Sequence, residues 1–196
     1  ALSEEEIAVT IGKVDEVVEI ELVNYFIKGN IALTKVDEDY PDNKLSGAVF
    51  EVYSDTNGDG KLDNDDTLLG EMKELDGGVY QMSELRYGKY LVKETKAPTG
   101  FVLDEDVYAV SIEENGKTYT VENKAGVGFI NAAQKGSLKI VKTSSDGKVE
   151  GFSFRVTGVD YDQTFKTDKN GEIVIEGLRI GDYTVSEVSD KASAGY

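Results

Sequence analysis

The stretch Asp55-Thr-Asn57-Gly-Asp59-Gly60-Lys61-Leu-Asp63-Asn-Asp-Asp66 places oxygen-bearing side chains at loop positions 1, 3, 5, 9 and 12, with glycine at position 6. That is the donor pattern a hard cation of Ca²⁺ size takes, the glycine permitting the sharp turn that gathers the ligands. Position 7 would add the Lys61 backbone carbonyl. Position 12 is Asp66 in place of the commoner glutamate, and the preceding Phe50-Glu-Val-Tyr53 reads as strand instead of helix. The expectation is a structural Ca²⁺ bound in a loop inserted into a β-domain, not an EF-hand. The competing reading is a solvated acidic turn. A second set of candidate residues recurs along the chain. Asn24-x4-Gly29-x5-Lys35 matches Asn131-x4-Gly136-x5-Lys142 at identical spacings, and Tyr90-Leu-Val-Lys-Glu94 matches Tyr183-Thr-Val-Ser-Glu187.

Composition narrows the chemistry further. The 196 residues include no Cys and no His, which removes disulfides, thiolate nucleophiles, histidine bases and the usual zinc sites. With 21 basic and 38 acidic residues the formal net charge is −17, so nucleic acid and anionic membrane surfaces are repelled and cations are the plausible ionic partners. No apolar run is long enough to cross a bilayer, and the opening ALSEEEIAV carries no signal-peptide pattern. An apolar content of 39% supports packed cores.

The elements that must position these residues come in repeats. Leu85-Arg-Tyr-Gly-Lys-Tyr-Leu-Val-Lys-Glu94 aligns without a gap on Leu178-Arg-Ile-Gly-Asp-Tyr-Thr-Val-Ser-Glu187, and Leu45-Ser-Gly47-Ala-Val-Phe50 on Val149-Glu-Gly151-Phe-Ser-Phe154. Ile7-Ala-Val-Thr-Ile11 resembles Tyr108-Ala-Val-Ser-Ile112. The organisation this predicts is threefold: 1–28 as terminal strands of a preceding or complementing repeat, 29–135 as a complete repeat carrying the calcium loop, and 136–196 as a second repeat lacking its final strands. Period-two runs predict strands at 31–36, 48–53, 78–82, 89–94, 107–112, 117–122, 127–131, 137–142, 152–156, 172–175 and 182–187. No helical period is sustained. The fold class is therefore all-β, as tandem antiparallel sandwiches of prealbumin or Ig-like type.

The joint pattern of Lys-x-Asp after the first strand, Leu45-Ser-Gly-Ala-Val-Phe-Glu-Val52 and Leu85 through Phe101 resembles the collagen-adhesin B-type, or SpaA-like, prealbumin-fold domains. The resemblance implies a stalk module of a Gram-positive surface adhesin or pilin, extracellular or in the cell wall. It also implies a spontaneous isopeptide bond between a first-strand lysine and a last-strand asparagine, promoted by an acidic residue. Transferred to this sequence, those residues are Lys35, Glu94 and Asn131 in the complete repeat, Lys142 and Glu187 in the second, and Asn24 in the tail. The chemistry stands on its own terms. Burial lowers a lysine pKa and raises a carboxyl pKa, so a neutral amine can attack a carboxamide while the acid polarises its carbonyl and passes the proton to departing ammonia. Asn123 is the rival acceptor. The ordinary alternative is that all of these are strand residues in weak ion pairs.

These features favour a non-enzymatic structural module whose partners are neighbouring repeats. The tail could fill 137–196 of the same chain or, with copies joined head to tail, of the next, in either case setting Asn24 against Lys142. A module recognising host protein or glycan is the alternative, and a carboxylate hydrolase has no marked pair to support it.

Overall fold

The structure is a computed structural model and describes residues 6–194. The described residues form strands and no helix, in two compact units. The first comprises residues through Pro98 together with Leu103–Asn131; the second comprises Thr99–Val102 and the chain from Ala132 onward. Each unit has its own apolar core.

In the first unit β1 (Lys28–Asp37) is flanked on one side by β5 (Val79–Arg86), which also carries the short β4 (Lys73–Glu74). On its other side β1 takes two parallel partners in succession, β8 (Thr118–Thr120) along Asn30–Ala32 and β9 (Phe129–Asn131) along Lys35–Asp37. The facing sheet runs β3 (Thr67–Glu71), β2 (Val49–Ser54), β6 (Gly88–Lys96), β7 (Val107–Ile112). Successive strand residues point to opposite faces, so alternate positions build the core. Ile31 and Leu33 of β1, Phe50 and Val52 of β2, Tyr90 and Val92 of β6 and Phe129 of β9 meet there, with Phe50 edge-on to both Tyr80 and Phe129. The same alternation carries each stripe one step further inward: after Ile31 and Leu33 comes Lys35, after Tyr90 and Val92 comes Glu94, after Phe129 comes Asn131.

The second unit repeats part of this plan. Its β10 (Lys135–Val141) pairs with β13 (Glu172–Arg179), and β11 (Ser153–Gly158) lies between β12 (Tyr161–Lys166) and β14 (Tyr183–Val188). These correspond to β1, β5, β2, β3 and β6. No described strand takes the place of β7, β8 or β9. Among the described residues this leaves one edge of β10 and one edge of β14 without a strand partner, and Val185, paired with the buried Val156, stays exposed.

Three strands escape the sequence reading. β3 and β4 follow an Asp-rich loop and contain Gly70, Lys73 and glutamates, and β12 is an edge strand with polar residues at most positions. Such strands are held by pairing with a neighbour and bury too little to show a period-two stripe. The tail differs in the opposite sense. The alternating runs 7–11 and 17–23, expected as terminal strands of a preceding or complementing repeat, pair with no strand within residues 6–27, and Ile7, Val9, Ile11, Ile20 and Leu22 are exposed. The residues before Glu6 lie outside the described part.

Candidate functional site

Lys35 is held from both sides of its own backbone. Its N–H donates to the Gly78 carbonyl at 2.8 Å and its carbonyl accepts the Leu45 N–H at 2.8 Å. Gly78 has φ +75°, and a Cβ there would stand 2.7 Å from the Leu45 carbonyl oxygen, so the close approach requires glycine. The side chain then points into the core with 0% exposure, as does that of Glu94, and Asn131 is 3% exposed. Lys35 Nζ donates to the Phe129 carbonyl at 3.0 Å, lies 5.2 Å from the Phe129 ring centre and is 3.9 Å from Glu94 Oε1. Asn131 Nδ2 donates to both Glu94 oxygens, at 3.0 and 2.9 Å, and the Asp104 N–H donates to Oε2 at 2.9 Å.

Two charges in so dry a site would be costly. Desolvation brings the Lys35 amine down to about 8, against the opposing pull of the Glu94, Asp104 and Asp37 carboxylates. Desolvation also raises Glu94 above the usual carboxylate range, partly countered by the Asp104 N–H, Asn131 and Lys35. Both shifts favour the neutral amine beside the neutral acid. Among the described residues, Asn131 Oδ1 is the buried side-chain polar atom with no hydrogen-bond partner. A buried unmet acceptor costs roughly 1–3 kcal/mol, and a proton on Glu94 supplies the donor that a reoriented carboxamide lacks.

Asn123 is placed differently. Its Oδ1 accepts the Ile130 N–H at 2.6 Å, and its Nδ2 donates to the Ile130 carbonyl at 2.9 Å and to Asp104 Oδ2 at 2.6 Å. Both ends of its amide are engaged, and neither touches Lys35. The sequence offers Asp104 no signal: it sits in an acidic loop, Leu103-Asp-Glu-Asp106, yet its N–H holds Glu94 and its carboxylate accepts Tyr108 and Asn123.

In the second unit Lys142 Nζ meets Glu187 at 3.1 and 3.0 Å and lies 4.7 Å from the Phe152 ring centre. The Lys142 N–H donates to the Gly171 carbonyl, as that of Lys35 does to Gly78. The pair is wetter, with side chains 16% and 36% exposed. Asn24 is exposed in the first unit, beside Lys28, Glu84 and Asn115 in an open cleft, so the residues expected to act together belong to different units.

The Asp55–Asp66 loop is closed by its own side chains. Asp55, 7% exposed, accepts the Gly58 and Gly60 amides, Asp59 accepts that of Lys61, and Asp66 accepts those of Thr56 and Asp63. Asn57 Nδ2 donates to Asp63. The donor chemistry suits Ca²⁺. The arrangement does not yet gather it, for among the described residues no three acidic side chains stand close enough together to hold a metal ion.

The family model of the SpaA prealbumin-like fold domain matches residues 29–125 and 136–196. The chain belongs to that family. The two matches fall on the two repeats, one in each unit. Among solved structures, the Bacillus anthracis TIE protein is 28% identical with a TM-score of 0.64, over 84% of this chain and 29% of that one. The chain thus spans less than a third of that relative. The minor pilin GBS52 of Streptococcus agalactiae is 29% identical over 56% of this chain and 46% of that one, with a TM-score of 0.40. The shaft pilin SpaA of Lactobacillus rhamnosus GG is 16% identical over 83% of this chain and 88% of that one, with a TM-score of 0.42. No protein with a curated description matches. No helix among the described residues is long and apolar enough to cross a membrane.

Proposed function

We propose that this chain is a load-bearing module of a Gram-positive surface stalk or pilus, non-enzymatic, whose complete SpaA domain closes on itself through an isopeptide bond from Lys35 to Asn131. The observation that carries the proposal is the enclosure of an amine, a carboxyl and a carboxamide in one dry pocket, at the point where the first and last strands of the domain run side by side. The neutral Lys35 amine attacks Asn131 Cγ, forming the C–N bond as the Cγ–Nδ2 bond breaks. Glu94 in its acid form polarises Oδ1, and the proton released by the amine passes through Glu94 to Nδ2, which leaves as ammonia. The fold supplies the effective concentration that so weak an electrophile needs. The denatured intact mass tests this: the wild-type chain is expected to be one ammonia lighter than its sequence, and Lys35→Ala to match its own sequence. A wild-type mass equal to the sequence refutes the proposal.

Self-assembly extends the same reading. Residues 7–11 repeat the sequence of β7, Asn24 repeats the place of Asn131, and the second unit has open edges at β10 and β14 where such strands pair in the first. Strand addition covers an exposed edge and its apolar flank together. In solutions of this chain, residues 7–24 of one copy add to the second unit of another and bring Asn24 to Lys142 beside Glu187. A ladder that survives boiling in detergent and vanishes with Asn24→Ala is expected; a single band from the wild-type chain excludes it.

A further inference from the structure

The Lys35–Asn131 reaction needs Asn131 at one place, yet the strand that carries it is only Phe129–Asn131. β9 lies on β1 by one edge: Lys35 pairs with Phe129, Val36 with Ile130 and Asp37 with Asn131, and the Glu38 N–H donates to the Asn131 carbonyl at 3.1 Å. A three-residue parallel strand makes few bonds with which to fix its own register. On its other edge, the place of a neighbouring strand is taken by one side chain. Asn123 offers Ile130 both an acceptor and a donor, at 2.6 and 2.9 Å, as a paired backbone would.

That side chain is itself anchored to the reactive acid. Asn123 Nδ2 also donates to Asp104 Oδ2, which accepts the Tyr108 hydroxyl, while the Asp104 N–H donates to Glu94 Oε2. Glu94 in turn accepts Asn131 Nδ2. A ring of contacts therefore runs Glu94, Asp104, Asn123, Ile130, Asn131 and back to Glu94. The turn between Asn123 and β9 is tight, with the Lys124 and Gly128 backbones bonded to each other in both directions at 3.2 Å.

From this we infer that Asn123 is a positioning residue for isopeptide formation. It clamps Ile130 against Asp104 so that the next residue, Asn131, presents its carboxamide to Lys35 and Glu94. The inference rests on the proposed function and adds to it a role for a residue that never touches the amine. It makes Asn123 a component of the reaction instead of the alternative acceptor.

The isosteric Asn123→Asp separates this role from packing. It keeps the acceptor for the Ile130 N–H, but replaces the donor with an oxygen facing the Ile130 carbonyl and the Asp104 carboxylate. Chain synthesised in a cell-free system, held in urea and diluted into buffers of different pH, is followed by intact mass for loss of ammonia. The variant is expected to react ten- to a hundredfold more slowly than wild type at neutral pH, the scale of a misplaced reacting group. The ratio of variant to wild-type rate should recover toward one as pH falls and the substituted carboxyl gains a proton to donate. Circular dichroism of Asn123→Asp and wild type, each also carrying Lys35→Ala, checks that both fold without the bond. A folded variant that reacts at the wild-type rate at every pH overturns the inference alone. A wild-type chain that loses no ammonia overturns the proposed function and the inference with it.

Discussion

Lys35 illustrates how much one residue's burial governs. An amine with a folded pKa of about 8 and an unfolded value of 10.5 binds more protons in the unfolded chain between those limits. Stability therefore rises with pH across that window, and the cost of burying the charge is present in full below it. Glu94 has the opposite sign, since a raised pKa means the native state binds more protons above pH 4.5 and loses stability as pH climbs through the folded value. The lysine contribution is measurable where no bond can form. The stability difference in urea between Asn131→Ala and Lys35→Met with Asn131→Ala should shift toward the lysine chain by up to roughly 3 kcal/mol as pH rises from 8 to 10.5. A constant difference over that range would contradict the buried, neutral amine. At this scale the sequence was informative through its repeats and the family resemblance, which single out Lys35, Glu94 and Asn131; the structure adds that each occupies the next inward position of an apolar stripe. Asp104 was not legible, because it acts on Glu94 through its backbone N–H, which every residue type except proline possesses.

At the scale of elements, what the sequence conveyed depended on burial. The strands that line the first core, such as β1, β2, β6 and β9, announce themselves by period two. The edges β3, β4 and β12 do not, because pairing with β2, β5 and β11 holds them and little of their surface leaves water. The tail shows the converse: 7–11 and 17–23 have strand periodicity but pair with no strand among the described residues, so pattern alone did not make a strand. The Asp55–Asp66 loop tests the same distinction for a ligand. Its spacing matches a Ca²⁺ loop, while its carboxylates accept backbone amides at Gly58, Gly60 and Lys61. If the ion binds, the first unit should melt higher in millimolar Ca²⁺, with chelator reversing the shift and Asp59→Ala removing it. Saturation at about a hundred times Kd adds about 2.7 kcal/mol. A melting curve indifferent to Ca²⁺ and chelator assigns the loop to the solvated turn its hydrogen bonds already describe.

Across the whole molecule, the position of the crosslink decides what a pulling force can reach. β1 and β9 run parallel, and Asn131 pairs with Asp37 at the far end of β1 from Lys28. Tension enters the first unit at Lys28 and leaves it at Asn131, so the short β1–β9 ladder is loaded in shear. With Lys35 joined to Asn131 the force passes along Lys28 to Lys35, crosses the amide and exits, and residues 36–130 carry none of it. The second unit has Lys142 and Glu187 together, and in the proposed assembly its Asn24 comes from another copy, so an isolated copy has no such bypass. Single-molecule extension by handles at the two chain ends should therefore show the second unit unfolding in every trace. The increment from residues 36–130, roughly 300 Å at full extension, should appear with Lys35→Ala and be missing from the wild type. A wild-type trace containing that increment would mean that the first domain stretches as an ordinary sandwich, held by packing alone.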